Sequence, residues 1–203
     1  MTNFVINSDY NKFKEVFLLE NSKLNLISKN DEKFLYEKHF FDSLSLKLFI
    51  EKYDIKFATI LDIGTGGGFP SIPLAMEYPN FKIDAVDSIQ KKINAVLRMA
   101  DNLGLKNLTP INSRVESIKD KKYDLIVSRA VAKIDKMVEY SYPLLDKKGY
   151  IVLYKSLIVN EELDKAKDII RKYHLKIHPL IEYKLPLEEN YTRNLVILEK
   201  QNG

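Results

Sequence analysis

The segment Leu61-Asp62-Ile63-Gly64-Thr65-Gly66-Gly67-Gly68-Phe69-Pro70 holds four of the chain's seven glycines. The apolar residues leading into it read as a buried strand, and Pro70 suits the first turn of a following helix. Glycines let such a loop turn tightly and let its backbone approach a ligand closely. In open α/β sheets, ligands bind at this carboxyl edge. The spacing is G-x-G-x-G. The third glycine of the dinucleotide pattern G-x-G-x-x-G would fall at position 69, where Phe69 stands, and this speaks against a pyrophosphate. Asp62 adds a negative charge beside the loop, unwelcome to pyrophosphate and compatible with a sulfonium and an ammonium. S-adenosylmethionine has no phosphate and carries both cations, so a loop that approaches without cradling an anion suits it.

A second acidic residue strengthens an adenosine site. The next β-rich run ends in Ala85-Val86-Asp87-Ser88. A carboxylate at that strand end can accept from both hydroxyls of a ribose. Dehydrogenases and methyltransferases share this feature, so it points to adenosine and not to a reaction class. The alternative is a solvated strand end. His39 and Asp42 stand three residues apart, so one face of a helix presents both. Either that face overhangs the glycine loop and meets a substrate, or the two residues make a helix-packing contact. His174 and His178 lack metal-ligand spacing, and no metal site is expected. With no cysteine, thiolate nucleophiles, zinc–thiolate sites and disulfides are excluded.

The elements that would position these residues follow from periodicity. Tyr10, Phe13, Val16 and Phe17 mark a helix over residues 9–20. Asp31 is a candidate cap for a second helix reaching Tyr53, with Phe34, Leu35, Phe41, Leu44 and Leu48 on its inner face. From residue 58 onward, β-rich runs alternate with amphipathic helices. The runs are Thr59–Ile63, Lys82–Val86, Leu108–Asn112, Leu125–Ser128, Tyr150–Tyr154, Ile177–Ile181 and Leu195–Leu198. One helix carries Ile93, Val96, Leu97, Ala100 and Leu103 on a stripe. Another, capped by Asn160, turns Leu163, Ala166, Ile170 and Tyr173 inward. Alternating strands and helices predict an α/β fold with a mostly parallel sheet covered on both faces. The last two runs lack a helix between them, so the final strand should return antiparallel as a hairpin. Seven strands with that ending predict the Rossmann-like fold of class I methyltransferases. The expected division is a helical N-terminal segment, 1–57, and a methyltransferase domain, 58–203.

Composition sets further bounds. The chain has 203 residues, 45% of them hydrophobic, enough for one well-buried domain. Its net charge of +4 permits a polyanionic partner without demanding one. Lysines number 27 and arginines only 5, so the arginines, suited to forked contacts, are worth following individually. No stretch approaches the ~18 apolar residues that cross a bilayer. No basic region followed by an apolar one opens the chain. A cytoplasmic protein away from membranes is expected.

Several segments together resemble one family, the small-subunit rRNA guanine-N7 methyltransferases, also called the glucose-inhibited division protein B family. They are Leu24-Asn25-Leu26-Ile27-Ser28, Lys38-His39-Phe40-Phe41-Asp42-Ser43-Leu44, and the glycine loop from Asp62 through Pro70 with Ile72-Pro73-Leu74-Ala75. They continue with Val86-Asp87-Ser88, Ser113-Arg114-Val115-Glu116, Ser128-Arg129-Ala130-Val131-Ala132 and Arg193-Asn194-Leu195-Val196. The resemblance covers nearly the whole chain. Ser71, Lys38 and Ser156 depart from it, where the family usually has glycine, arginine and glycine.

The resemblance implies a methyl transfer from S-adenosylmethionine to 16S rRNA, and a monomer is the expected state. It places cofactor contacts on Gly64, Phe69, Val115, Glu116 and Arg129, beside Gly66 and Asp87 of the two motifs. His39 and Asp42 are the candidates for the substrate side. Lysines 119, 121, 122, 133, 136, 147 and 148 are candidate phosphate contacts. A nicotinamide-dependent oxidoreductase, a ribosome-assembly factor without activity, and a methyltransferase of proteins or small molecules are the alternatives from the residues alone.

Overall fold

The computed structural model describes residues 8–54, 59–157, 159–187 and 191–201. The boundary expected between residues 57 and 58 lies outside them.

Five strands form the parallel body of one sheet: β1 (Thr59–Ile63), β2 (Lys82–Asp87), β3 (Leu108–Asn112), β4 (Tyr123–Arg129) and β5 (Leu145–Lys155). They lie in the order β3-β2-β1-β4-β5. The strand order reverses between β1 and β4, and a crevice opens there at the carboxyl edge. Helices α5 (Ser71–Glu77), α6 (Gln90–Leu103), α7 (Ile134–Ser141) and α8 (Val159–Lys172) cover the sheet. β8 (Tyr191–Lys200) runs antiparallel to β5, as the hairpin pattern predicts.

The expected sixth strand is two strands. β6 (Leu175–Ile177) and β7 (Ile181–Leu185) both pair with the outer side of β8, giving eight strands instead of seven. Ile177 stands opposite Leu198, and Ile181 opposite Leu195. Three residues therefore face two on β8, and the edge bulges. Pro179, which has no N–H for a ladder, sits in that interruption.

The helical N-terminal segment also departs from the expected pattern. α1 (Ser8–Leu24) buries Tyr10, Phe13 and Phe17 as expected. The single helix expected from Asp31 to Tyr53 is instead broken into α2 (Lys29–Glu32), a π-helical stretch (Leu35–Phe41), α3 (Asp42–Leu44) and α4 (Leu46–Tyr53). Ser28, not Asp31, caps α2 by accepting from the Asp31 N–H at 3.2 Å. The widened π turn shifts the buried face, so Phe40, Leu46 and Phe49 become fully buried while Phe34 and Leu48 are only partly so. In α6, Met99 takes the buried place expected of Leu97, which is exposed. α8 begins at Val159, one residue before the expected cap Asn160.

Alternating strand positions feed two cores. Ile60, Val127, Val152 and Ile197 face one side, where they pack with Phe13, Phe40, Phe69 and Val96. Leu61, Ile126, Ile151 and Val196 face the other, against Ile134, Val138, Ala166 and Ile170. The N-terminal helices thus share a continuous apolar core with one face of the sheet. This brings the π-helical stretch to the carboxyl edge.

Candidate active site

A cleft of about 630 Å³ opens at that edge. Its lining includes Gly64, Gly66, Phe69, Asp87, Val115, Glu116, Arg129 and His39. The strand ends bring them together: β1 leads into the glycine loop, β2 ends at Asp87, and β4 ends at Arg129. Val115 and Glu116 open a short 3₁₀ turn after β3. Asp42, the remaining sequence candidate, is fully buried and lies outside the lining.

The glycine loop is folded back against β2. The N–H groups of Gly64 and Thr65 both donate to the Val86 carbonyl, at 2.8 and 2.9 Å. Gly64 has φ +74°, and a Cβ there would lie 2.2 Å from a Val131 methyl. Backbone conformation and space both demand glycine. The Gly66 N–H donates to Asp87 Oδ2 at 3.0 Å, and the Ile89 N–H to Oδ1 at 2.9 Å. Asp87 is thereby fixed in orientation, while each oxygen keeps further acceptor capacity for a ligand hydroxyl.

Asp62 lies beneath the loop. It is completely buried; Oδ2 accepts a short hydrogen bond from the Ser71 hydroxyl, and Oδ1 has no partner. Ser71 and Thr65 hydroxyls meet at 2.7 Å. Burial pushes the Asp62 carboxyl up to about 7, against the opposing effect of these hydroxyls. Ser71, where the resembled family usually has glycine, therefore solvates a buried acid, a role that only contact geometry reveals.

Arg129 is the most connected group in the cleft. Nη1 donates to the Lys38 carbonyl and to Asp42 Oδ2, both at 3.2 Å, and Nη2 lies 3.0 Å from His39 Nδ1. Its guanidinium also sits 5.0 Å above the Phe69 ring, within cation–π range. Phe69 is only 3% exposed, so it acts chiefly as a floor under Arg129 and His39. Asp42 also accepts from the Tyr183 hydroxyl at 2.6 Å and pairs with Arg193 at 3.5 Å. His39 and Asp42 share a face, as their spacing predicts, and that face meets Arg129. For Asp42 the structure shows the packing alternative of the two left open by the sequence, a buried pairing behind the cleft.

The arginines separate by role. Arg98 pairs with Glu20, and Arg171 with Asp168 on the surface. Arg129 and Arg193 converge on Asp42, while Arg114 is exposed and lines the cleft with Lys92. The candidate phosphate-contacting lysines divide between the two edges of the sheet. Lys121 and Lys122 immediately precede β4, and Lys147 and Lys148 fall early in β5, toward the amino edge. Lys121 is also engaged with Asp84 and Lys122 with the Pro143 carbonyl. Only Lys133 and Lys136 follow the carboxyl end of β4, and Lys136 pairs with Glu139. His178 is structural: its ring bonds Glu199 at 2.8 Å and packs edge-on against Tyr53.

The family model described as rRNA small subunit methyltransferase G matches residues 6–188. The chain belongs to the rRNA small subunit methyltransferase G family. Within that family, it is 37% identical over 186 residues to Ribosomal RNA small subunit methyltransferase G of Bacillus pumilus, covering 89% of this chain and 77% of the relative. It is 33% identical to the protein of that name in Listeria monocytogenes, over 94% of this chain and 81% of the relative. Among solved structures, a SAM-dependent O-methyltransferase from Thermotoga maritima superposes with a TM-score of 0.59 at 14% identity, covering 79% of this chain and 66% of the other. The YcgJ protein from Bacillus subtilis gives 0.63 at 15% identity, over 79% of this chain and 99% of the other. These likenesses establish the methyltransferase fold. Family membership sets aside the nicotinamide-dependent alternative. No helix among the described residues is long and apolar enough to cross a membrane.

Two predictions follow from this geometry. Gly64→Ala is expected to weaken calorimetric binding of S-adenosylhomocysteine more than ~10-fold, given a positive φ and a sub-contact approach to Val131. Adding Val131→Ala should recover only part of the loss, because the backbone strain remains. The second concerns Asp62. Its folded-state pKa is raised, so the folded chain holds a proton that the unfolded chain releases between about pH 4 and 7. The stability of the native protein relative to Asp62→Asn should therefore fall as pH rises through that window, by about 4 kcal/mol in total, and then level off. Denaturant titrations of both proteins at several pH values measure this difference.

Proposed function

We propose that this protein methylates N7 of a guanine in 16S rRNA, using S-adenosylmethionine. The observation that carries the proposal is the convergence of Asp87, the glycine loop, the Val115–Glu116 turn and Arg129 in one cleft, in a chain of this family. The cleft's size falls within the ordinary range for small-molecule sites. Its donor set also fits the cofactor. Asp87 suits the two ribose hydroxyls, Val115 and Glu116 suit the adenine edge, and Gly64 and Gly66 give backbone access. Arg129 suits a carboxylate at the methionine end.

When bound, the cofactor supplies a methyl group on a sulfonium, which the N7 lone pair takes as the carbon–sulfur electron pair returns to sulfur, leaving a thioether and a cationic purine. N7 carries no proton at neutral pH, so no general base is needed. Burial, and next the charge of Arg129, lower His39 to about 4, in keeping with a reaction that has no proton to remove. The residues' task is alignment of nucleophile and methyl. Asp42 balances the charge of Arg129 next to a reaction that develops positive charge. The helices within residues 8–54 then form a roof over the site, and the strands and helices from β1 onward the methyltransferase domain.

The groove presenting N7 in A-form RNA is too deep and narrow for side chains, so the target base must be unpaired or extruded. Lys92 and Arg114 suit its flanking phosphates, since the adenosine end of S-adenosylmethionine carries no anionic group to pair with them. A monomer acting in the cytoplasm on the small subunit, or on an intermediate of its assembly, fits this chemistry. An inactive assembly factor would have no use for the preserved Gly64 and Asp87.

The deciding experiment maps N7-methylguanine in 16S rRNA from cells with and without the protein; one site should be lost on deletion and restored by the native gene. Exchanging Lys92 and Arg114 for alanine should weaken RNA binding and lower the slope of log affinity against log salt by up to about 2. Titrations at several ionic strengths read that slope.

A further inference from the structure

His39 is the one cleft residue whose protonation geometry is dictated by its neighbours. An arginine side chain has donors and no acceptor. With Arg129 Nη2 at 3.0 Å, His39 Nδ1 must be the acceptor. The ring is therefore neutral, and its single proton sits on Nε2. That nitrogen is buried and has no hydrogen-bond partner in the protein, although the residue lines the cleft. An unpaired buried donor is unfavourable and calls for an acceptor from outside the chain.

The surroundings keep the donor in this state. The charged groups acting on the ring are Arg129, Asp31, Asp42 and Lys38, and the Phe69 ring lies against it at 5.2 Å. Asp42 and Asp31 are each already paired, with Arg129 and Lys38 respectively. A neutral donor is also what a reaction producing a cationic purine requires, because an imidazolium would repel the product charge.

We propose that His39 identifies the target base as guanine, its Nε2–H donating to the guanine O6. This deepens the function proposed above and rests on it. A purine that points N7 at a methyl group presents the substituent of C6 on the same edge. In guanine that substituent is an acceptor oxygen; in adenine it is an amino donor. A fixed N–H donor satisfies the first and is opposed by the second. His39 is thus a specificity-determining residue and takes no proton from the substrate.

The test compares single-turnover methyl transfer to small-subunit RNA carrying guanine or 2-aminopurine at the target position. 2-Aminopurine keeps N7 and lacks the oxygen on C6. The native protein should prefer guanine by roughly 10-fold or more, the cost of one buried donor left unpaired. His39→Phe keeps a ring against Phe69 but has no N–H, and should collapse that preference toward the intrinsic ratio of the two bases. His39→Gln, which returns an amide N–H at similar reach, should regain part of it. S-adenosylhomocysteine affinity should stay within about twofold in both variants. Nitrogen-15 spectra of the native protein near neutral pH should show His39 with its proton on Nε2.

Equal transfer to both bases by the native protein would overturn the proposal without any variant. So would a preference that survives His39→Phe, or a His39 protonated on Nδ1. A large loss of S-adenosylhomocysteine affinity in His39→Phe, with base preference intact, would assign the N–H to the cofactor carboxylate instead. Failure of the underlying function looks different: the native protein would form no N7-methylguanine even on the guanine RNA.

Discussion

One buried carboxylate holds the site together. Asp42 is sealed from solvent, and a charge in that position is tolerable only when paired and hydrogen-bonded. Its partners come from three parts of the chain: Arg129 at the end of β4, Arg193 in β8 and Tyr183 in β7. The π-helical stretch is pinned to the sheet by the same group, since Arg129 also takes the Lys38 carbonyl and the His39 ring. Arginine suits this junction because its fork of donors can satisfy several acceptors in fixed directions. A lysine would offer a point charge on a flexible stem. The packing of N-terminal helices onto the sheet therefore fixes the orientation of the groups facing the cleft.

Three carboxylic acids near one sheet edge occupy three different environments. Asp42 is buried and paired with cations. Asp62 is buried without an ion-pair partner, its side-chain contacts are the hydroxyls of Ser71 and Thr65, and burial holds its pKa far above the carboxylate range. Asp87 reaches the cleft and is oriented by two backbone N–H groups. Sequence identity alone makes these residues equivalent. Their different chemistry arises from what each strand end and loop places beside them.

The sheet, its hairpin ending and the cleft lining were legible because each has a local signature. β1 and β3 occur at the ranges their apolar runs predict, and the glycine loop with Asp87 marked the crevice directly. The broken N-terminal helix was not legible. Phe34 through Leu48 fit a regular helical stripe, and only tertiary packing reveals the wider turn that sinks Phe40 and frees the Lys38 carbonyl. The split of the sixth strand likewise depends on its register with β8, although Pro179 was a local hint. Tyr183 and Ser71 acquire their roles through contacts 141 and 9 residues away in sequence, respectively, which no periodicity encodes. The side of the sheet that each lysine occupies was not legible for a simple reason. Their positions between strands were visible, but the edge of the sheet on which each connection lies follows only from strand direction.

β8 is the last strand in chain order, yet it lies inside the sheet, between β5 and the β6–β7 edge. Its place there brings Arg193 to Asp42, so one of the two counterions of that carboxylate comes from a strand far along the chain from the cofactor motifs. Charge balance behind the cleft is thereby tied to pairing across the breadth of the sheet, and the glycines and acids of the motifs do not supply it by themselves.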